Sequence, residues 1–318
     1  MQNTFAGFNR EILEGCVRKH AGGDNVPVRL NPIATGRFNT SFYVGLGQRN
    51  MVLRIAPPAD TVFLFYERDM MLQEPSLHAL ILEKTDVPVA PIIALDTSRE
   101  IIDQNYILME RLPGTALSQA GVFSPHAALR QVGKCLAQVH SLTATQFGYL
   151  GEHHPMRPRD SWRDAFTIMW RKLVDDIASV GHYDARESRM MKHLVDTHRH
   201  LFEECETAHL LHMDIWSQNI LVDSAGNLTG IVDWDRALWG DPEIEFAVLD
   251  YCGVSEPAFW EGYSRRRSKS AEARLRNVFY LLYEIQKYIV IRQGRQNNRA
   301  GALAYKNQVM RVVERAFH

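Results

Sequence analysis

Apolar residues recur along this chain at two different periods, and the change from one to the other divides it. Near the start Phe8, Ile12, Cys16, Val17 and His20 fall at helical spacing, and Gly22-Gly23 ends that run. A β-rich stretch follows, with strands predicted at 28–34, 40–46 and 51–56. The segments 36–39 and 47–50 between them have turn compositions, so the strands are expected to be consecutive and antiparallel. Residues 66–84 read as helix despite Pro75, and two more strands are predicted at 92–95 and 105–112. Pro113-Gly114 breaks the pattern. Beyond it Leu129, Val132, Leu136, Val139 and His140 share one helical face, as do apolar positions in 161–178 and 190–202. The helical half has one β interruption, 210–222 and 228–232 around the turn 223–227. A later run, 271–291, places Val278, Leu281, Leu282, Ile285 and Ile289 on one face.

The expected fold class is therefore α+β. Residues 1–112 form an N-terminal lobe with a five-stranded antiparallel sheet and a helix, and residues 113–318 form a mostly helical lobe. Composition narrows the function classes. The 318 residues are 46% hydrophobic, enough for a well-buried core. With 36 Lys plus Arg against 37 Asp plus Glu there is no overall field to draw the chain to nucleic acid or membrane, and neither is expected as a partner. No basic-then-apolar leader opens the sequence and no apolar stretch is long enough to span a bilayer, so a cytoplasmic protein is expected. Cys16, Cys135, Cys205 and Cys252 lie far apart, as reduced and mostly buried thiols do.

The chemistry concentrates in His212-Met213-Asp214-Ile215-Trp216-Ser217-Gln218-Asn219, followed after the turn by Val232-Asp233-Trp234-Asp235. If the two strands pair as a hairpin, Asp214, Asn219 and Asp233 reach one sheet edge, where a divalent metal and a hydroxyl would fit among them. Phosphoryl transfer asks for this inventory: a base near the attacking hydroxyl, hard oxygen ligands for magnesium, and cations over the phosphates. The stretch resembles the aminoglycoside phosphotransferase and choline kinase-like family, whose catalytic loop reads H-G-D-x-x-x-x-N and whose metal motif reads I-D-W-x-x-A; here they read HMDIWSQN and VDWDRA. The downstream Ala237–Ala247 run is similar to the family's A-x-x-G-D-P-x-x-[DE]-x-A, and its Asp241-Pro242 is also a helix start.

The resemblance implies a bilobal protein-kinase-like fold and a small-molecule kinase, with Mg²⁺ as cofactor and ATP or GTP as co-substrate. It implies Asp214 as the base, His212 as organiser of the loop, and Asn219 and Asp233 as metal ligands; Met213 departs from the usual Gly. Arg54, alternating with apolar neighbours, stands where the fold puts a phosphate-binding Lys, with Glu74 favoured over Glu67 as its acidic partner. Gly36 and Asn39 lie in a turn that resembles a phosphate-covering loop, and Tyr106–Gly114 is similar to a hinge whose backbone near Glu110 and Arg111 would meet adenine. The implied acceptor is a hydroxyl of an aminoglycoside or another hydroxylated antibiotic or metabolite, which makes antibiotic resistance an expected role. Asp235, Asp241, Glu243, Glu245 and Asp250 suggest an acidic patch for an amine-bearing acceptor, with Trp216, Trp234, Trp239 or Trp260 stacking on it. Of these, Asp235, Trp239 and Glu245 are the substrate-contact candidates. The alternative is a catalytically silent, kinase-like nucleotide-binding module, whose usual mark is loss of the base or a metal ligand; Asp214, Asn219 and Asp233 are all present.

Overall fold

Alternating strands and amphipathic helices assemble as the periodicities require in the structure, a computed structural model that describes residues 4–34 apart from Ala6, 38–121 and 124–317. The fold is α+β, with a five-stranded antiparallel sheet and, among the described residues, nine α-helices. The chain sorts into two compact units. One comprises Met1–Asp60, Asp69–Phe123 and Gln218–Asp235, and the other Thr61–Arg68, Ser124–Ser217 and Arg236–His318. The division thus differs from a single cut after residue 112: the chain crosses between the units five times.

In the sheet unit, α1 (Arg10–Ala21) starts at Asn9, whose side chain accepts the Glu11 N–H at 2.9 Å. Five strands follow: β1 (Val28–Pro32), β2 (Thr40–Leu46), β3 (Arg49–Ile55), β4 (Ile92–Asp96) and β5 (Tyr106–Glu110), in the spatial order β1-β2-β3-β5-β4. Alternation sends Phe42, Val44, Leu53 and Ile55 to the face that packs on Leu13, Cys16 and Val17 of α1. Val52, Ile107 and Met109 cluster separately, and Arg54 alternates with Leu53 and Ile55 onto their side. The helix expected over 66–84 is shorter: a 3-10 turn at Met70–Gln73 leads into α2 (Glu74–Lys84). Pro75 then falls in the first turn, where a missing N–H breaks no intrahelical bond.

The expected β interruption divides in two. Ile220–Val222 pairs with Leu228–Ile231 and with Thr115–Ala116 in the sheet unit, whereas Ala208–Leu211 pairs with Leu238–Gly240 and Thr143–Ala144 in the helical unit. Gly114 is required beside the first of these sheets. Its φ is 100°, and a Cβ there would lie 2.3 Å from Thr229 Oγ1 and 2.6 Å from the Val222 carbonyl oxygen.

The helical unit contains α3 (His126–Val139), α4 (Trp162–Ser179), α5 (Ala185–Thr197), α6 (Pro242–Tyr251), α7 (Pro257–Tyr263), α8 (Ala271–Val290) and α9 (Arg299–Phe317). Its core is aromatic, built from Trp162, Phe166, Trp170, Phe202, Phe279 and Tyr280, and truncating one such side chain costs about 3–5 kcal/mol. Asp241 caps α6 by accepting the Glu243 N–H at 3.0 Å. None of the described helices is long and apolar enough to cross a membrane.

Candidate active site

Strand alternation fixes the candidate residues of the sheet unit. Arg54 on β3 is 8% exposed, and its guanidinium reaches Glu74 of α2 at 2.5 Å, Asp233 at 2.6 Å and Asp235 at 3.1 Å, all within the sheet unit. Glu74 is therefore the partner of Arg54, and Glu67 is bonded instead to Arg295 and to the Leu64 N–H in the helical unit. Burial holds the Glu74 carboxyl up, to about 7, against the pull of Arg54. Asp235 is raised well above the usual carboxylate range, first by burial and then by Asp233. Three carboxylates around one guanidinium leave a surplus of negative charge that a divalent cation can offset.

Two expectations about these residues need correction. Asn39 was expected at the phosphates, but its side chain donates to Asp235 at 3.0 Å and so braces the Arg54 cluster. Asp235 was expected to touch the acceptor, but it is 5% exposed and bonded to Asn39 and Arg54. Gly36 lies outside the described residues. At the hinge the Glu110 N–H donates to the Pro91 carbonyl at 2.9 Å and the Arg111 N–H to the Asn50 carbonyl at 3.0 Å. Both of these N–H groups are thus taken by the sheet. The Glu110 side chain pairs with Arg49, and the Arg111 guanidinium lies 4.0 Å from the Tyr43 ring centre.

Asn219 and Asp233 come together through the Ile220–Val222 and Leu228–Ile231 hairpin, in which the Val232 N–H donates to the Asn219 carbonyl at 3.0 Å. The Asp233 side chain stays 40% exposed and its φ is 70°, a left-handed conformation that orients the carboxylate as the chain leaves the strand. An amide oxygen and a carboxylate are hard donors that suit Mg²⁺. Among the described residues no group of three His, Cys, Asp or Glu is arranged to hold a metal by itself. The pair therefore fits an ion that brings phosphate oxygens and water to complete its shell.

A second group of candidate residues lies in the helical unit. Asp214 follows His212 and Met213, and its N–H donates to His212 Nδ1 at 3.1 Å. Glu245 of α6 holds this loop, accepting the Met213 N–H at 2.7 Å and the His212 N–H at 3.1 Å while His140 Nε2–H donates to it at 2.8 Å. Burial pushes the Glu245 carboxyl up, but the His140 hydrogen bond and nearby imidazoles outweigh it and hold it below its ordinary value. Met213 occupies the place of the resembled family's Gly with φ 67°, a strained conformation for a side-chain-bearing residue, fully buried. Glu245, expected as a substrate contact, is 0% exposed, so it supports the loop rather than meeting an acceptor.

The expected acidic patch does not survive either. Asp241 accepts from Tyr280 at 2.7 Å and lies 3.5 Å from Arg276, Glu243 pairs with Arg276 at 3.0 Å and Asp250 with Arg267 at 2.7 Å, so internal cations neutralise these three acids. Trp234 is fully buried and donates to the Ile231 carbonyl, and Trp260 packs on Phe246 and Phe259; Trp216, Trp239 and Trp260 keep partial exposure. Sequence reasoning missed Arg236, Glu284 and Lys287. Arg236 Nη1 donates to the Met213 carbonyl at 2.6 Å and Nη2 to Glu284 at 2.9 Å, and Lys287 pairs with Glu284 at 2.6 Å. The available signal was a Glu and a Lys three residues apart inside the apolar run of α8.

Hygromycin-B 4-O-kinase of Escherichia coli is 24% identical over 230 residues, 69% of this chain and 61% of that kinase. Viomycin phosphotransferase of Streptomyces vinaceus is 25% identical over 153 residues, 45% of this chain and 49% of that enzyme. The chain thus spans about six tenths of the first relative's length and half of the second's. Among solved structures, a thermostable mutant of aminoglycoside phosphotransferase APH(4)-Ia in ternary complex with AMP-PNP and hygromycin B superposes with a TM-score of 0.63 at 20% identity, covering 94% of this chain and 98% of the other. That likeness places the fold among the kinase-like aminoglycoside phosphotransferases. The model of the phosphotransferase enzyme family matches residues 29–277, most of the sequence, and the chain belongs to that family.

Proposed function

We propose that this protein transfers the γ-phosphate of ATP or GTP to a hydroxyl of a small molecule, an aminoglycoside or another hydroxylated antibiotic or metabolite. The observation that carries the reading is the convergence of Glu74 and Asp233 on Arg54, an arrangement that joins a phosphate-facing cation to a candidate metal ligand. The names of the relatives, a hygromycin-B kinase and a viomycin phosphotransferase, favour an antibiotic acceptor. The neutralised acids described above remove the electrostatic reason for requiring an amine.

In this reading Asp214 takes the proton of the acceptor hydroxyl as its oxygen bonds to the γ-phosphorus and the bond to the β–γ bridging oxygen breaks. Arg54 steadies the phosphates through a guanidinium already fixed on three carboxylates. Asn219 and Asp233 would hold Mg²⁺, which when bound neutralises charge on the phosphate oxygens. Glu245 keeps the base loop in its strained conformation. At the hinge, adenine would meet backbone groups other than the N–H groups of Glu110 and Arg111, which serve the sheet. The intact Asp214, Asn219 and Asp233 argue against a silent binding module.

The test is Mg²⁺-dependent ADP or GDP release, wild type beside Asp214→Asn, across hygromycin B, viomycin, gentamicin, choline-like alcohols and sugars. Acceptor-stimulated release that the substitution abolishes is the expected result. Stimulated release that survives Asp214→Asn would remove Asp214 from the role of base, and nucleotide binding without turnover on any acceptor would favour the silent module.

A further inference from the structure

Lysine is rarely enclosed in a protein interior unless paired, yet Lys287 on α8 is 5% exposed, beside Glu284 at 1% and Arg236 at 6%. The three form a buried chain of alternating charge. Arg236 Nη2 lies 2.9 Å from Glu284 Oε2, and Lys287 Nζ lies 2.6 Å from Glu284 Oε1, so each carboxylate oxygen serves one cation. Both cations then flank the same atom beyond: Asp214 Oδ1 is 3.8 Å from Arg236 Nη1 and 3.8 Å from Lys287 Nζ. Arg236 also binds the carbonyl of Met213, the residue that precedes Asp214 in its strained conformation.

The energetics argue against a purely structural purpose. Taking these charges out of water carries a desolvation cost, and replacing such a buried network by apolar side chains of similar volume is often neutral or stabilising. The other buried positions of α8 at this level include Leu282, Ile285 and Ile289 beside Tyr283 and Gln286, so an apolar filling is available to the fold. A network retained where an apolar one would serve, and aimed at one oxygen of the candidate base, has a use in the reaction.

We propose that Lys287, fixed by Glu284, is a positioning residue for Asp214: together with Arg236 it holds the Oδ1 side of the carboxylate, so that the base is presented in one orientation to the acceptor hydroxyl. This rests on the reading of Asp214 as base, and it adds a residue of α8 that the loop motif does not contain. Lys287 touches neither reactant in this role, so its loss should slow the chemical step without weakening binding of either substrate.

The experiment measures ADP release from MgATP with hygromycin B as acceptor, and the slower release onto water in its absence, for wild type, Lys287→Met, Lys287→Arg and the double variant Glu284→Gln/Lys287→Met. The expected result is a fall in kcat on the order of 10²-fold for Lys287→Met, the scale of a misplaced catalytic group. KM for MgATP and for acceptor should stay within about threefold, and Lys287→Arg should recover most of the rate. The double variant removes one charge of each sign, so it tests the same loss should Lys287→Met fail to fold. The proposal is overturned by a kcat within about twofold of wild type in Lys287→Met or the double variant, by Lys287→Arg being no better than Met, or by a change confined to acceptor KM, the mark of direct substrate contact. Asp214→Asn run in parallel separates the two readings: turnover surviving there sinks the base itself, whereas turnover lost there and kept in Lys287→Met sinks only the role of Lys287.

Discussion

Glu245→Gln tests how the base loop is held. The carboxylate accepts three hydrogen bonds in a site with no water contact, from His212 N–H, Met213 N–H and His140 Nε2–H. Glutamine keeps the shape but supplies one acceptor oxygen, and its amide then faces a donor. If the oxygen serves Met213, His212 N–H and His140 Nε2, which share the other carboxylate oxygen, are both left opposite an NH₂ group. An orphaned buried donor costs about 1–3 kcal/mol, and loss of the charge-assisted bonds brings the total to about 2–4 kcal/mol. At roughly 2–4 °C per kcal/mol for a chain of this size, Tm should fall by roughly 5–15 °C. Activity should fall further than stability explains. Met213 is held at φ 67° by its anchored N–H and by Arg236 on its carbonyl, and a Met213 relaxed at its N–H shifts Asp214, a displacement worth on the order of 10²-fold in kcat. Calorimetry and steady-state ADP release on the same preparation provide both readouts. A variant that melts within about a degree of wild type and turns over at a similar rate would refute the reasoning.

Arg54→Met should leave Glu74, Asp233 and Asp235 uncompensated, destabilising the sheet unit by about 3–5 kcal/mol and abolishing MgATP binding, as read by denaturant melts and calorimetric titration. Met213→Gly should relieve about 1 kcal/mol of backbone strain but empty a fully buried site worth about 2–5 kcal/mol, so a net loss of stability is expected and a higher Tm would contradict it. Asp176 accepts the Phe65 N–H at 2.8 Å and burial raises its carboxyl to about 7. Its folded value exceeds its unfolded one, so its contribution is full at low pH and is lost as pH rises through 7, up to about 4 kcal/mol and less in practice because the group keeps some contact with water. Asp176→Asn should therefore raise Tm at pH 8 and change it little at pH 4, checked by thermal melts across that range.

The loop HMDIWSQN and the VDWD turn were legible because phosphoryl transfer needs those residue types at short spacing. The five strands were legible because alternation reports which face is buried. Glu74, favoured over Glu67 by the resemblance, is the acid that Arg54 meets. What escaped was the direction in which polar side chains turn. Asp241, Glu243 and Asp250 cluster in sequence as if to greet a cationic ligand, but Arg276 and Arg267, remote along the chain, neutralise them. Glu284 and Lys287 read as an interruption of an apolar face, since periodicity records which positions are buried and not which buried charges have found partners. The loop 212–219 also hid a division: strand residues on either side of it join different sheets.

The discontinuity of the sheet unit bears on how the protein is made. A ribosome that has delivered residue 110 has supplied all five strands, yet the buried guanidinium of Arg54 then has only Glu74 beside it; Asp233 and Asp235 emerge more than one hundred residues later. The nascent sheet must wait, with a half-compensated charge in its interior, until most of the helical segment has been synthesised. Completion of the first unit is in this way tied to synthesis of the second, and a fragment ending at Gly121 should form strands without acquiring the rigidity of the whole.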